Sequence, residues 1–117
     1  MQYGERMNEG SKDRLTPQNA LAAIAKSEDG LYAILLENGS MELGYYKPDG
    51  EDKQQPHAQD EIYIVQTGSG TFVRGDEHIP FAAGDALFVA ARVEHHFVDF
   101  TDDFAAWVVF YGPQGGE

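Results

Sequence analysis

The chain has no cysteine among its 117 residues, which excludes disulfide staples, thiolate nucleophiles and cysteine-ligated zinc or iron–sulfur sites. It is also poor in cations. Eight lysines and arginines stand against twenty aspartates and glutamates, a formal net charge of −12. A surface of that sign repels phosphate backbones and anionic lipid, so neither nucleic acid nor a membrane is expected as a partner. Long apolar runs are missing too. The longest, Phe104 to Tyr111, falls well short of the roughly 18 residues a membrane span requires and reads as one buried strand. Met1 to Arg14 lacks the apolar stretch of a signal peptide, and a cytoplasmic location is the expectation. Ser27, Ser40 and Ser69 lie in turns with no nucleophile elbow around them. Gly68 and Gly70 link strand to strand and do not open a helix, which excludes a phosphate loop. No internal repeat is present.

What the chain does contain is enough apolar residues (42%) for one core, together with thirteen glycines and many aromatic and β-branched side chains, the composition of a turn-rich β protein. The reading is a flexible segment over residues 1–15 and a single domain over 16–117. Thr16-Pro17 opens the one convincing helix: Thr16 caps it and Pro17 suits its first position. Leu21, Ile24 and Ala25 share its apolar face, and Gly30 is available as a left-handed cap. From Leu31 the apolar period becomes two. Leu31 to Leu36 and Met41 to Tyr46 flank the hairpin signal Asn38-Gly39. After a polar loop, Lys47 to Pro56, strands are expected at Glu61 to Gln66, Thr71 to Arg74, His78 to Phe81, Ala86 to Val89, His96 to Phe100 and Phe104 to Phe110. About eight short strands with no helices between them predict an all-β jelly roll or small barrel with a short N-terminal helix.

One constellation carries chemistry. In extended backbone, residues of like parity point the same way. Gln55, His57, Gln59, Glu61 and Tyr63 are all odd-numbered, and Pro56 biases Gln55 towards the extended region. His57 and Glu61 are therefore expected side by side, with the Gln55 carboxamide near them. His95 shares a face with Phe97 and Asp99, while His96 points the other way. A barrel that sets the two segments against each other yields two imidazoles and one carboxylate, a nitrogen–oxygen set suited to Fe(II), Zn, Mn, Ni or Co. The metal-free alternative is a pocket in which these side chains bond one another or a ligand directly. His78 and His96 read as surface residues, Asp60 as pointing away from the site, and Glu51, Asp52, Asp99, Asp102 and Asp103 as a solvated acidic face. Trp107 is a second candidate for lining the pocket.

These residues resemble the two signature motifs of the cupin superfamily, in particular its small single-domain, cupin-2-like conserved-barrel members. Gly50, Gln55, His57, Glu61 and Gly68 match the first motif. Gly84, Ala90, Arg92, His95 and Asp99 match the second, and the likeness spans Leu31 to Tyr111. Gln55 stands where the family has its first histidine, and a carboxamide oxygen ligates more weakly than imidazole. Ala90 and Arg92 replace a proline and a glycine, and Asp99 replaces an asparagine. The resemblance implies a double-stranded β-helix that binds one divalent metal through His57, Glu61, His95 and Gln55. It further implies a small-molecule ligand, chemistry of the oxygenase or isomerase type, and a homodimer. Tyr63 and Asp99 are the candidates for moving a proton. A non-catalytic cupin that binds or senses a sugar or an aromatic acid is the competing expectation.

Overall fold

A computed structural model describes residues 14–117; the expected flexible segment 1–15 falls, but for its last two positions, outside that range. The helix α1 (Pro17–Ala25) starts as its sequence dictates, with the Thr16 hydroxyl accepting from the Asn19 amide at 3.1 Å and Pro17 in the first turn. It ends earlier than the Gly30 signal implied. The Ser27 hydroxyl donates to the Ile24 carbonyl at 2.7 Å and accepts from the Gly30 amide at 3.0 Å, so a local side-chain turn closes the helix and Gly30 serves the following bend. The buried face also differs from Leu21, Ile24 and Ala25. Ala20 and Ile24 are the buried pair, one turn apart, and Leu21 is 44% exposed.

Eight strands follow: β1 (Tyr32–Asn38), β2 (Met41–Tyr46), β3 (Asp60–Thr67), β4 (Ser69–Arg74), β5 (Glu77–Ala82), β6 (Ala86–Val89), β7 (His95–Val98) and β8 (Ala105–Tyr111). They form a five-stranded sheet, β1-β2-β8-β3-β6, and a three-stranded sheet, β5-β4-β7. Every pairing is antiparallel. The result is the all-β jelly roll expected from the pattern. The last two strands do not pair with each other as the turn at Thr101 to Asp103 suggests: β7 pairs with β4, and β8 with β2 and β3. Strand β7 begins one residue early, at His95, and stops at Val98, where Asp99 adopts φ 52°, a left-handed conformation that a short polar side chain tolerates.

Alternation assigns the faces. On β3, Glu61, Tyr63 and Val65 are buried, whereas Ile62 and Ile64 face outward with Phe88 of β6 opposite Ile62. The inward set meets Phe72, Phe81 and Phe97 from the smaller sheet. Phe97 lies at the centre of this aromatic core. Its ring centroid is 4.7 Å from that of Phe104 and 4.9 Å from those of Tyr63 and Phe72. A second, smaller core lies on the outer side of the large sheet, where α1 covers Ala33, Tyr45 and Ala105. Gly68 is a turn glycine that the fold requires. Its φ is 87°, and a Cβ there would come within 2.6 Å of the Phe104 Cα. Among the described residues no helix is long and apolar enough to cross a membrane.

Replacing Phe97 by alanine is expected to lower the unfolding free energy by about 3–5 kcal/mol. Urea denaturation checks it, with the midpoint falling and the slope unchanged; a loss below about 1 kcal/mol would mean that Phe97 is not the hub of this core.

Candidate metal centre

Glu61 lies on β3, His95 opens β7, and His57 sits in the irregular stretch just before β3. Three hydrogen bonds from backbone amides hold these segments together. The Arg92 amide donates to the His57 carbonyl at 2.6 Å, the Gly115 amide to the Ala58 carbonyl at 2.6 Å, and the Ala91 amide to Asp60 Oδ1 at 2.9 Å. Asp60 is itself buried and takes the Glu117 amide on its other oxygen at 3.1 Å. Its carboxylate therefore clamps the chain behind the site and, as expected, does not enter it. Arg92 makes its contact from φ 66°, the conformation for which glycine is the natural residue.

The outcome is a cluster in which one ligand atom each of His57, Glu61 and His95 lies within 4.8 Å of the others. Nδ1 of His95 lies 2.8 Å from the Val93 carbonyl, so that nitrogen carries a proton, and in the neutral ring Nε2 presents its lone pair. Nε2 stands 2.9 Å from Glu61 Oε1, with both side chains 1% exposed. This approach is not an aligned hydrogen bond: among the described residues, neither Glu61 oxygen nor His95 Nε2 has a hydrogen-bond partner. With a neutral His95 ring two buried acceptors face each other, an arrangement that is unfavourable unless positive charge lies between them. A proton on His95 meets that need, and so does a divalent ion. The donor set, two imidazoles and a carboxylate with nothing else bonded to them, fits a metal of the Fe(II), Zn, Mn, Ni or Co type.

The cluster opens into a cavity of about 400 Å³ walled by Leu31, Val108 and Phe110 on its apolar side and by Tyr32, Glu42 and Gln54 on its polar side. The Phe110 ring packs edge-on against His57 at 4.8 Å. Tyr63 is fully buried beneath the cluster, and its hydroxyl donates to Gln54 Oε1 at 2.8 Å. Tyr32 donates to Glu42 Oε2 at 2.8 Å and Tyr46 to Asp52 Oδ1 at 2.5 Å. Burial, then the carboxylate each phenol faces, pushes the pKa of Tyr32 and of Tyr46 up, and burial with the charge of Glu61 does the same for Tyr63. Gly44 leaves room for this wall, because a Cβ there would overlap the ring and hydroxyl of Tyr32.

Several expectations need correction. Gln55 is exposed, and the carboxamide turned towards the cluster belongs to Gln54, whose oxygen is 3.5 Å from His57 Nε2. Parity failed here because β3 begins only at Asp60, so alternation does not extend back to Gln55. Asp99 is also exposed and lies away from the cavity, turned aside by its left-handed backbone. Asp52 is not part of a solvated acidic face. It accepts from the Gln54 amide and carboxamide, the Tyr46 hydroxyl and, at 2.7 Å, the Phe97 amide. Trp107 lies on the outer face against Tyr45, with its indole N–H on Gln66. Glu42 and Tyr46, which no sequence motif singles out, share the even-numbered face of β2. Only its pairing with β8 shows that this face is the inner one.

A β-sandwich with two imidazoles and a carboxylate gathered at the head of an open cavity is a jelly-roll barrel with a candidate metal site. Residues 43–111 match the family model described as Cupin domain, and the chain belongs to the cupin family. An uncharacterised protein of Streptomyces coelicolor is 36% identical over 96 residues, covering 80% of this chain and 91% of that protein. Among solved structures, a cupin 2 conserved barrel domain protein from Salinispora arenicola is similar with a TM-score of 0.63 and 23% identity, covering 85% of this chain and 87% of that one. KdgF from a Halomonas species is similar with a TM-score of 0.62 and 19% identity, covering 71% of this chain and 78% of that one.

The two imidazoles respond differently to their surroundings. Burial is the larger influence on His57 and, despite Glu61, holds its pKa below the usual 6.5. Burial also opposes charge on His95, but the Glu61 carboxylate and the Val93 carbonyl outweigh it and raise that pKa above 6.5. In chelator-treated protein, His95 therefore contributes stability below its unfolded pKa and loses it as pH rises through the folded value. His57, with its lowered value, contributes stability above its unfolded pKa, lost as pH falls. With rising pH, a His57→Gln variant is expected to lose stability above about pH 6.5, where only His95 still titrates, whereas a His95→Gln variant is expected to lose stability as pH falls below about 6.5. Urea midpoints followed by Trp107 fluorescence test this; slopes of the opposite sign would refute it.

Proposed function

We propose that this protein is a mononuclear, metal-dependent cupin that acts on a small molecule in the cavity described above, with oxygenase- or isomerase-type chemistry. The observation that carries this reading is the convergence of His57, Glu61 and His95, with Glu61 Oε1 and His95 Nε2 buried 2.9 Å apart without an aligned hydrogen bond. His57, Glu61 and His95 would hold the ion, and it would supply Lewis acidity to a substrate bearing adjacent oxygens. Gln54 is a positioning residue, kept in place by Asp52 and available to His57 and Tyr63. Glu61, as a ligand, would not serve as a free base. The apolar wall formed by Leu31, Val108 and Phe110 would exclude water from one side of the substrate.

A binding or sensing module without turnover is the second reading. One observation favours it: Asp99 lies outside the cavity, and the Tyr63 proton is already donated to Gln54, so neither residue is poised to move a proton on a substrate.

Metal analysis of protein purified without chelator tests the metal assignment. The expected outcome is about one equivalent of a divalent transition metal in the wild type and less than about a tenth in His57→Ala and in Glu61→Gln. Equal, negligible content in all three would sink the metal reading. Turnover by the metal-replete protein would then separate enzyme from sensor.

We also propose a homodimer built on the outer face of the large sheet. Ile64 is 37% and Phe88 44% exposed there, and Ile62, Val109 and Leu43 lie in register across three neighbouring strands. A second copy seated on this face would cover the row symmetrically. Light scattering is expected to give twice the 12.9 kDa chain mass, and Ile64→Glu with Phe88→Glu to return the monomer. A wild-type monomer at micromolar concentration would remove the proposal.

A further inference from the structure

The cavity is unusual in what it has left to offer a ligand. Each phenol on its wall has its proton already placed: Tyr32 donates to Glu42, Tyr46 to Asp52 and Tyr63 to Gln54. The Gln54 carboxamide donates to Asp52 Oδ2 at 2.7 Å, and His95 Nδ1 is held by Val93. What these groups turn towards a ligand is mainly oxygen lone pairs. Among the described residues lining the cavity, Lys53 is the one cation; its side chain is 80% exposed and lies 3.8 Å from Glu51. No arginine lines the cavity among those residues, whereas Asp29 and Glu42 both do. Asp29 stays ionised at the mouth, because its hydrogen bond from the Leu31 amide lowers its pKa.

The register fixes where Glu42 lies relative to the cluster. Glu42 of β2 and Glu61 of β3 are both opposite Phe110 of β8. The two glutamates therefore share one cross-strand row, with their backbones roughly 10 Å apart at two strand spacings and the Phe110 ring between them. Glu61 is buried, unpartnered and aimed into the cavity. Glu42 uses only Oε2 for Tyr32, and among the described residues Oε1 has no protein partner. A ligand gripped at the His57–Glu61–His95 end would lie across Phe110 and meet the Glu42 carboxylate at its far end.

We propose that Glu42 is the specificity-determining residue of this cavity. Ligands with a hydroxyl or protonated amine at the end remote from His57, Glu61 and His95 are selected. Those with a carboxylate or phosphate at that end are rejected. The physical basis is that a donor completes the free oxygen of Glu42, whereas an anion meets a like charge with only the solvent-exposed Lys53 to offset it. This inference rests on the reading that the three-residue cluster is the anchoring end of the site.

Three probes with a common chelating head separate the two levels. Dopamine carries an ammonium, hydroxytyrosol a hydroxyl and 3,4-dihydroxyphenylacetate a carboxylate, each on a short chain from the same catechol. Calorimetric titration of metal-loaded protein, with plain catechol alongside, is expected to show catechol binding. The amine and alcohol probes should bind at least about tenfold more tightly than the carboxylate. Glu42→Gln should bring the amine-to-carboxylate ratio within about threefold while leaving metal content and catechol affinity unchanged. Repeating the titrations at high salt removes the contribution of the protein's overall negative charge, and the difference due to Glu42 should persist. Loss of metal content or catechol binding in the wild type would undo the anchoring reading alone. The ratio would then be read on metal-free protein with the same probes. A carboxylate probe that binds as tightly as the amine, a ratio unchanged by Glu42→Gln, or no binding of any probe overturns the proposal.

Discussion

The buried approach of Glu61 to His95, which requires positive charge between them, governs this structure. Glu61 and His95 come from different sheets, yet their oxygen and nitrogen are held 2.9 Å apart in a buried setting. A folded chain keeps such an arrangement only if the surrounding contacts are strong enough to oppose it. They are. Phe97, two residues after His95, is the hub of an aromatic core that ties β7 to Tyr63 on β3, so the side chains that bring the two sheets together also bring the two ligand-bearing segments together.

Carboxylates that never touch the cluster do much of the remaining work. Asp60 binds the turn before His95 and the end of the chain to the start of β3. Asp52 gathers Gln54, Tyr46 and the Phe97 amide, linking the irregular loop that carries His57 to the strand that carries His95. Each is a charged group taken partly out of water, tolerated because several N–H or O–H donors surround it. The strongly acidic composition thus has a structural component: some of the negative charge organises loops from within and does not simply solvate the surface.

The convergence of His57, Glu61 and His95 was legible because the strand pattern agreed with the resemblance to the cupin motifs. Within β3, strict alternation put Glu61 and Tyr63 on one face, and the glycine and turn signals bounded the strands that had to close around them. The same reasoning failed at Gln55 and Asp99. Both lie where the backbone leaves the extended conformation, Gln55 ahead of β3 and Asp99 at φ 52°, and a parity argument holds only while the chain remains pleated. It also missed Asp52 and Glu42, since a carboxylate in a polar loop and one in a half-buried strand look alike until their neighbours are known.

The sequence alone was sufficient for the all-β architecture, for the helix start at Thr16-Pro17 and for the three side chains at the head of the cavity. The first two depend on local preferences and short periodicities, which neighbouring residues settle among themselves; the third followed from the order of His57, Glu61 and His95 among the glycines, which resembles the cupin motifs. The tertiary structure decided which amide approaches His57, where the tyrosine protons go, and that Glu42 shares a row with Glu61. Those facts depend on the registers of β2, β3 and β8, and register is set by contacts between segments far apart in the chain, which no single segment encodes.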